Sequence, residues 1–221
     1  MGRNSPKVSE AAKVSAGIKV DKYRDFQSLQ KAERSDAFHI SATDRETSAC
    51  IIAPHGGGIE PGTSELAAAV AGEKFSLYLF EGKKISSNRD LHITSTNFDE
   101  PAGVKLVERS RYCIAFHGCQ GGGETAFIGG RNMALKATMA EKLLANGFTV
   151  ATHENPELQG ESRANICNRG YSGEGVQFEL SWGLRQRLTD PTHHSSAPSR
   201  ESFVAAIRES IAEYDEKGPS A

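Results

Sequence analysis

The chain has 221 residues, a formal net charge of −2 at pH 7 and an isoelectric point near 6.4. This length suits one domain with a substantial buried core. The weakly acidic balance gives no electrostatic basis for nucleic acid binding. No apolar run is long enough to span a membrane, and the N-terminus lacks the apolar core of a signal peptide.

The predicted elements alternate between strands and helices after a polar start. Residues 1–20 are predicted to be a flexible tail, and 21–217 a single α/β domain. Core strands are predicted at 38–40, 48–54, 75–80, 112–116, 148–152 and 176–180, with a further strand at 91–96. Helices are predicted at 63–71 and 134–146 and again after Ser199, while 22–36 is predicted to be a short helix or an ordered loop and 104–109 a helix or connector. Residues 120–130 are a long glycine-rich stretch, and 188–200 is predicted to be a loop. The alternation predicts a three-layer fold, with a mixed, mostly parallel sheet and helices on both faces.

The most informative stretch is IIAPHGGGIEPGTSEL, residues 51–66. An apolar strand runs into His55, three glycines follow, and Glu60 precedes the helix. Ligands of open α/β sheets bind at the carboxyl ends of strands. The stretch suits a solvated turn, a phosphate-binding loop or a metal site. A phosphate-binding loop is disfavoured because the Lys-Ser/Thr of a P-loop and the spacing of a dinucleotide loop are both missing.

A metal site needs a third protein ligand, and His117 in YCIAFHGCQGGGE supplies one. Imidazole and carboxylate are both ordinary zinc ligands, and a catalytic zinc has three protein ligands with an open position. His117 follows an apolar run and precedes a glycine, as His55 does. The residues therefore predict a site of two histidines and one glutamate: His55, Glu60 and His117.

Two segments farther along supply candidates for the remaining chemistry. Glu179, on the predicted strand 176–180, is the candidate general base, with solvent exposure on an edge strand as the alternative. Arg169 is the candidate for stabilising an oxyanion or a substrate carboxylate, and Asn168 for assisting it by hydrogen bonding. The alternative for this pair is a surface arginine beside a turn-forming asparagine.

His92 is the most ambiguous of the histidines. It suits an alternative metal ligand, a substrate contact or a hydrogen-bonded core histidine, and we assign it to substrate binding. His153, His193 and His194 lie in polar loops and are not expected to be catalytic ligands. The four cysteines have no CxxC spacing and are expected to be reduced thiols.

Several of these motifs together resemble the poly-γ-glutamate hydrolase family of phages and bacteria. They are APHGGGIEPGTSELA, SLYLFEG, LHITST, FHGC, NICNRG and GVQFELS, spread from about Tyr23 to Arg187. The resemblance implies a zinc peptidase with a fold like that of a trimmed carboxypeptidase. It also implies one zinc per chain held by His55, Glu60 and His117, and Glu179 as the counterpart of the catalytic glutamate.

The sequence departs from carboxypeptidases in two respects. His55 and Glu60 are farther apart than their carboxypeptidase counterparts. The carboxypeptidase Asn-Arg substrate clamp precedes the last ligand, whereas Asn168 and Arg169 follow His117. This pair is therefore expected to be a substrate or oxyanion element without being the same clamp.

The expected activity is hydrolysis of γ-glutamyl amide bonds in poly-γ-glutamate. The alternatives are a zinc deacylase or exopeptidase acting on small N-acyl amino acids or cell-wall peptides, and a non-catalytic phage-related binding protein. An anionic peptide substrate is the expected partner, with no nucleic acid or membrane. We expect a cytoplasmic monomer, released by lysis if it is phage-encoded.

Overall fold

The computed structural model describes residues 20–190, 192 and 198–218. The predicted tail, apart from its last residue, lies outside the described residues, as do His193 and His194. The strands are β1 (Phe38–Thr43), β2 (Ala49–Gly57), β3 (Ser76–Gly82), β4 (Tyr112–Cys119), β5 (Thr125–Gly130), β6 (Thr149–Ala151) and β7 (Val176–Ser181). The helices are α1 (Phe26–Ala32), α2 (Thr63–Ala71), α3 (Pro101–Arg109), α4 (Met133–Ala145), α5 (Trp182–Thr189) and α6 (Arg200–Lys217). Short 3₁₀ turns lie at Asn88–Leu91, Pro156–Leu158 and Ile166–Asn168.

One sheet connects all seven of these strands in the order β1-β3-β2-β4-β7-β5-β6. Neighbours among the central strands β3, β2, β4 and β7 are parallel. β1 is antiparallel to β3 and β5 is antiparallel to β7, while β6 runs parallel to β5. The parallel centre brings the carboxyl ends of β2, β4 and β7 to one edge, where ligands of such sheets bind.

The alternation of side chains along the buried strands creates a core on each face. In β2, Ile51 and Ala53 belong to one core, while Cys50 and Ile52 belong to the other. The first core is completed by apolar side chains of α2, α4, α5 and α6, and the second by those of α1 and α3. The predicted α/β class, with a mixed, mostly parallel sheet and helices on both faces, is therefore confirmed.

Helix ends follow local capping chemistry. The Ser199 hydroxyl accepts a hydrogen bond from the Ser202 backbone N–H at 3.2 Å and starts α6, as its sequence position predicts. α3 begins with Pro101 at its first turn. The Glu100 carboxylate accepts from the Gly103 N–H at 2.8 Å there.

Three local predictions differ from the structure. Residues 91–96 do not form a strand: a 3₁₀ turn ends at Leu91, the Asn97 N–H closes a turn on the Thr94 carbonyl, and the Thr94 N–H binds the carboxylate of Asp21 at 2.6 Å. β5 lies inside the glycine-rich stretch 120–130, where the sequence predicted no strand, and it pairs with β7. α5 replaces the turn predicted after the last strand, and it begins at the N-cap residue Ser181.

None of the helices in the described ranges is long and apolar enough to cross a membrane.

Candidate metal centre

A tight turn at the end of β2 brings His55 and Glu60 together. The backbone N–H of Glu60 donates to the carbonyl of His55 at 2.9 Å. Glycine is needed inside this turn, because a Cβ on Gly56 would lie 2.1 Å from Ser64 Oγ. Gly57 has φ +58°, and a Cβ there would lie 2.6 Å from a backbone oxygen of β3. The glycine run therefore allows the turn to pack closely against α2 and β3.

The carboxylate of Glu60 is buried and held from several sides. Its Oε2 accepts from the Gly118 backbone N–H at 2.8 Å, and its Oε1 accepts from Arg89 Nη1 at 3.2 Å. Burial alone would raise the pKa of Glu60. When His55 is protonated, its charge and hydrogen bond, followed by the charges of the other nearby histidines, outweigh burial and lower this pKa below its usual value. Glu60 is therefore an ionised carboxylate.

His117, near the end of β4, points toward the same place as His55. The two Nδ1 atoms lie 3.0 Å apart, and His117 Nδ1 lies 3.9 Å from Glu60 Oε2. His55 Nε2 donates to the carbonyl of Ile93 at 2.8 Å. The lone pair of a neutral His55 is therefore on Nδ1, facing His117 and Glu60.

These three side chains have the donor atoms of a zinc site, and their spacing approaches that of a tetrahedral one, with one separation in range, one shorter and one longer. Zinc bonds of about 2.0–2.2 Å in a tetrahedral site place ligand atoms roughly 3.3–3.6 Å apart. The observed separations are 3.0 Å between His117 and His55, 3.5 Å between His55 and Glu60, and 3.9 Å between His117 and Glu60. Burial, and then the charge of His55, lower the pKa of His117 to about 3, so this imidazole is neutral, as a ligand must be. His117 Nε2 is buried without a hydrogen-bond partner among the described residues.

His92 brings a third imidazole to the cluster. Its ring centroid lies 3.9 Å from that of His55, and its Nε2 lies 3.8 Å from Glu60 Oε1. The ligand atoms of His55, Glu60 and His92 all lie within 4.8 Å of one another. Burial, and then the charge of His55, lower the pKa of His92. Two ligand sets are therefore possible, and both contain His55 and Glu60; the third ligand is His117 in one and His92 in the other. The predicted role of His92 in substrate binding stays a prediction.

Glu179 lies beside His117 on the adjacent strand. The two residues are paired in the parallel register of β4 and β7, so their side chains leave the same face of the sheet. Gln177 Nε2 donates to Glu179 Oε1 at 3.0 Å, and the Gln177 oxygen accepts from Asn165 at 2.8 Å. Burial, and then the negative charge of Glu60, raise the pKa of Glu179 well above its usual value. β7 lies between β4 and β5, so the alternative of a solvent-facing edge strand is wrong.

Asn168 and Arg169 are bound mainly to the surrounding backbone. Arg169 donates through Nε, Nη1 and Nη2 to the carbonyls of Ala164, Phe98 and Thr96. These four hydrogen bonds use most of the five donors of a guanidinium. Asn168 donates to two loop carbonyls and accepts from the N–H of Gly175. These contacts join three loops, and the predicted substrate role of the pair stays a prediction.

The sequence interpretation missed Arg89, a cation at the metal cluster. Arg89 follows a polar segment with no glycine-histidine pattern, so the sequence offered no signal for it. Its side chain is 48% exposed and binds Glu60 Oε1 through Nη1. The buried Arg185, in contrast, donates to three backbone carbonyls, those of Leu180, Pro61 and Cys119. Arg89 therefore has donors that remain available to a ligand.

The fold and the cluster define an α/β protein with a candidate metal centre at the carboxyl edge of its sheet. A family model described as poly-gamma-glutamate hydrolase matches residues 23–210. The chain belongs to the poly-gamma-glutamate hydrolase family, which confirms the resemblance seen in the sequence motifs.

Relatives in Bacillus subtilis include the SPbeta prophage-derived protein YoqZ, which is 37% identical over 172 residues. That match covers 77% of this chain and 62% of YoqZ, so the chain spans less than two thirds of that relative. YmaC is 36% identical over 195 residues, covering 85% of this chain and 83% of YmaC. YndL is 37% identical over 169 residues, covering 76% of this chain and 67% of YndL.

Two solved structures share both fold and sequence with the chain. A bacteriophage poly-gamma-glutamate hydrolase superposes with a TM-score of 0.82 at 32% identity, covering 90% of this chain and 100% of the other. The zinc-free apo form of YndL superposes with a TM-score of 0.77 at 30% identity, covering 91% of this chain and 100% of that structure. An N-formylglutamate amidohydrolase from Ralstonia eutropha, at TM-score 0.50 and 13% identity, shares the fold alone.

Proposed function

We propose that the protein is a zinc-dependent hydrolase of γ-glutamyl amide bonds in poly-γ-glutamate. The observation that carries the proposal is the convergence of His55 Nδ1, His117 Nδ1 and the Glu60 carboxylate within 3.9 Å of one another. Family membership supports the substrate, and a relative solved in a form described as zinc-free supports the metal. The catalytic unit proposed is the single α/β domain of residues 21–217.

His55, Glu60 and His117 would hold the metal ion. When bound, zinc supplies Lewis-acid polarisation of a carbonyl and a water of lowered pKa. Gly118 and the turn at the end of β2 fix the Glu60 carboxylate, so that its charge faces the two imidazoles. The Ile93 carbonyl keeps the His55 lone pair on Nδ1, as is typical for ligating histidines whose other nitrogen binds a carbonyl.

Glu179 would act as the general base. Its carboxyl group is buried beside His117, and Gln177 binds one of its oxygens, which leaves the other to receive a proton from the attacking water. Burial, and then the negative charge of Glu60, raise the pKa of Glu179, and a cation held by Glu60 would offset the second of these. Glu179 could then pass the proton to the leaving amine nitrogen, which completes the hydrolysis.

Arg89 is the group best placed to bind a carboxylate of the anionic substrate. It lies at the exposed side of the cluster and, in the described part of the chain, its guanidinium forms a hydrogen bond and ion pair with Glu60 alone. Arginine binds carboxylates through paired N–H donors. In this proposal Arg89, in place of Arg169, is the arginine that binds the substrate carboxylate.

The activity is tested by incubating the zinc-loaded protein with poly-γ-glutamate and following chain length. We expect shorter chains with zinc, none after chelation, and recovery when zinc is returned. Poly-α-glutamate is the matched control, because its charge is the same and only its linkage differs. No shortening by the zinc-loaded protein would contradict the proposal, and release of monomer alone would indicate end-trimming.

Replacing Arg89 with glutamine should weaken substrate binding more than turnover. The loss of a charge-assisted hydrogen bond of about 1.5–3 kcal/mol predicts a KM roughly 10–100-fold higher. Steady-state kinetics on poly-γ-glutamate measure this change, with zinc content checked because Arg89 also contacts Glu60.

The matched variant Arg169→Gln separates the two arginines. It removes hydrogen bonds to three loop carbonyls, so we expect a lower melting temperature with KM unchanged. The reverse pattern, a raised KM in Arg169→Gln and a normal one in Arg89→Gln, would restore the original prediction for Arg169.

A further inference from the structure

Asp21 lies outside the residues matched by the family model, which begins at 23. It precedes α1 by a few residues, yet it contacts a loop about 70 residues later in the sequence. Its Oδ1 lies 2.6 Å from His92 Nδ1, and its Oδ2 accepts from both the backbone N–H and the hydroxyl of Thr94 at 2.6 Å. The side chain is largely buried, with 16% exposed. Three short hydrogen bonds to one carboxylate fix both ends of the segment 92–94.

The residue between these two ends, Ile93, controls a proposed metal ligand. Its carbonyl accepts from His55 Nε2 at 2.8 Å and thereby places the His55 lone pair on Nδ1. The His92 ring, held by Asp21, lies against the His55 ring with centroids 3.9 Å apart and planes inclined by 36°. His55 is therefore fixed from two directions by a segment that Asp21 anchors.

We infer that Asp21 is a positioning residue of the metal centre, acting through the Ile93 carbonyl and the His92 ring on His55. Without its carboxylate, the segment 92–94 loses the partner of the Thr94 backbone N–H. The Ile93 carbonyl, which orients His55 by accepting its Nε2 hydrogen bond, is then held less firmly in place. The inference rests on the proposed metal centre and adds a residue that no ligand motif identifies.

The experiment measures zinc affinity by competition with a chromogenic chelator, for the parent protein, Asp21→Ala and Asp21→Asn. Outer partners of ligating histidines typically contribute about 10–100-fold to metal affinity. We expect a loss in that range for Asp21→Ala, and a smaller loss for Asp21→Asn, which keeps one acceptor oxygen. Melting temperatures of the metal-free proteins show whether each variant is folded.

Asp25→Asn is the matched control. Asp25 belongs to the same segment and also accepts a backbone N–H, that of Ser28 at 2.8 Å, but it caps α1 and does not contact the cluster. Zinc affinity that falls in Asp21→Ala and not in Asp25→Asn supports the inference. Parental affinity in Asp21→Ala, or equal losses in both variants, would overturn it while leaving the metal centre in place. A parent protein that binds no zinc would overturn the metal centre and this inference together.

Discussion

Glu179→Gln is expected to retain one zinc per chain and to lose most of its turnover. Glutamine has nearly the same shape and can still accept the hydrogen bond from Gln177, but its amide cannot take a proton from water. General acid–base catalysis by a positioned side chain contributes about 10²–10⁴-fold, so kcat should fall by that factor. The release of new amine termini from poly-γ-glutamate gives kcat, and elemental analysis gives zinc content.

A matched control for this variant is Glu65→Gln. Glu65 lies in the first turn of α2, close in sequence to the turn that holds His55 and Glu60, and its side chain is exposed. We expect Glu65→Gln to behave as the parent does. If Glu179→Gln were as active as the parent, the general base would have to be another residue. If it lost zinc, Glu179 would belong to the ligand set.

His117→Ala and His92→Ala together decide which of the two possible ligand sets holds the metal. A catalytic zinc needs three protein ligands, so loss of one should leave too little affinity to retain the ion during dialysis. We expect zinc to fall from about one per chain to nearly none in His117→Ala, and to stay near one in His92→Ala at saturating zinc. Activity should fall by roughly 10³-fold or more in His117→Ala, because metal catalysis supplies several kcal/mol of transition-state stabilisation.

The preference for His117 rests on geometry. Its Nδ1 lies 3.0 Å from His55 Nδ1, the atom that carries the lone pair of a neutral His55, and its own imidazole is buried with a lowered pKa. His92 is instead bound by Asp21 through Nδ1, and its distance of 3.8 Å from the Glu60 carboxylate is about the same as the 3.9 Å of His117. Loss of zinc in His92→Ala with retention in His117→Ala would reverse the assignment. Melting temperatures of both metal-free variants distinguish loss of a ligand from loss of fold.

The sequence alone was enough to predict the core of the fold and the ligand candidates. β2, α2, β3, β4 and β7 were found by their apolar patterns, because buried parallel strands and amphipathic helices have periodicities that neighbouring residues reveal. His55, Glu60 and His117 could be proposed as ligands because each lies at a strand end or a glycine turn, where a parallel sheet presents ligands. Both inferences depend on short stretches of chain and on rules that hold for any α/β sheet.

Tertiary structure decided the features that depend on residues distant in sequence. β5 is a strand because β7 pairs with it, whereas 91–96 forms turns and binds Asp21 through the backbone N–H of Thr94. Arg169 could not be distinguished from Arg89 by composition, since only the folded chain shows which guanidinium is bound to backbone carbonyls and which retains free donors. Asp21 reaches the cluster through contacts spanning 71 and 73 residues. No local pattern encodes such a contact, because its partners are brought together by the packing of separate segments.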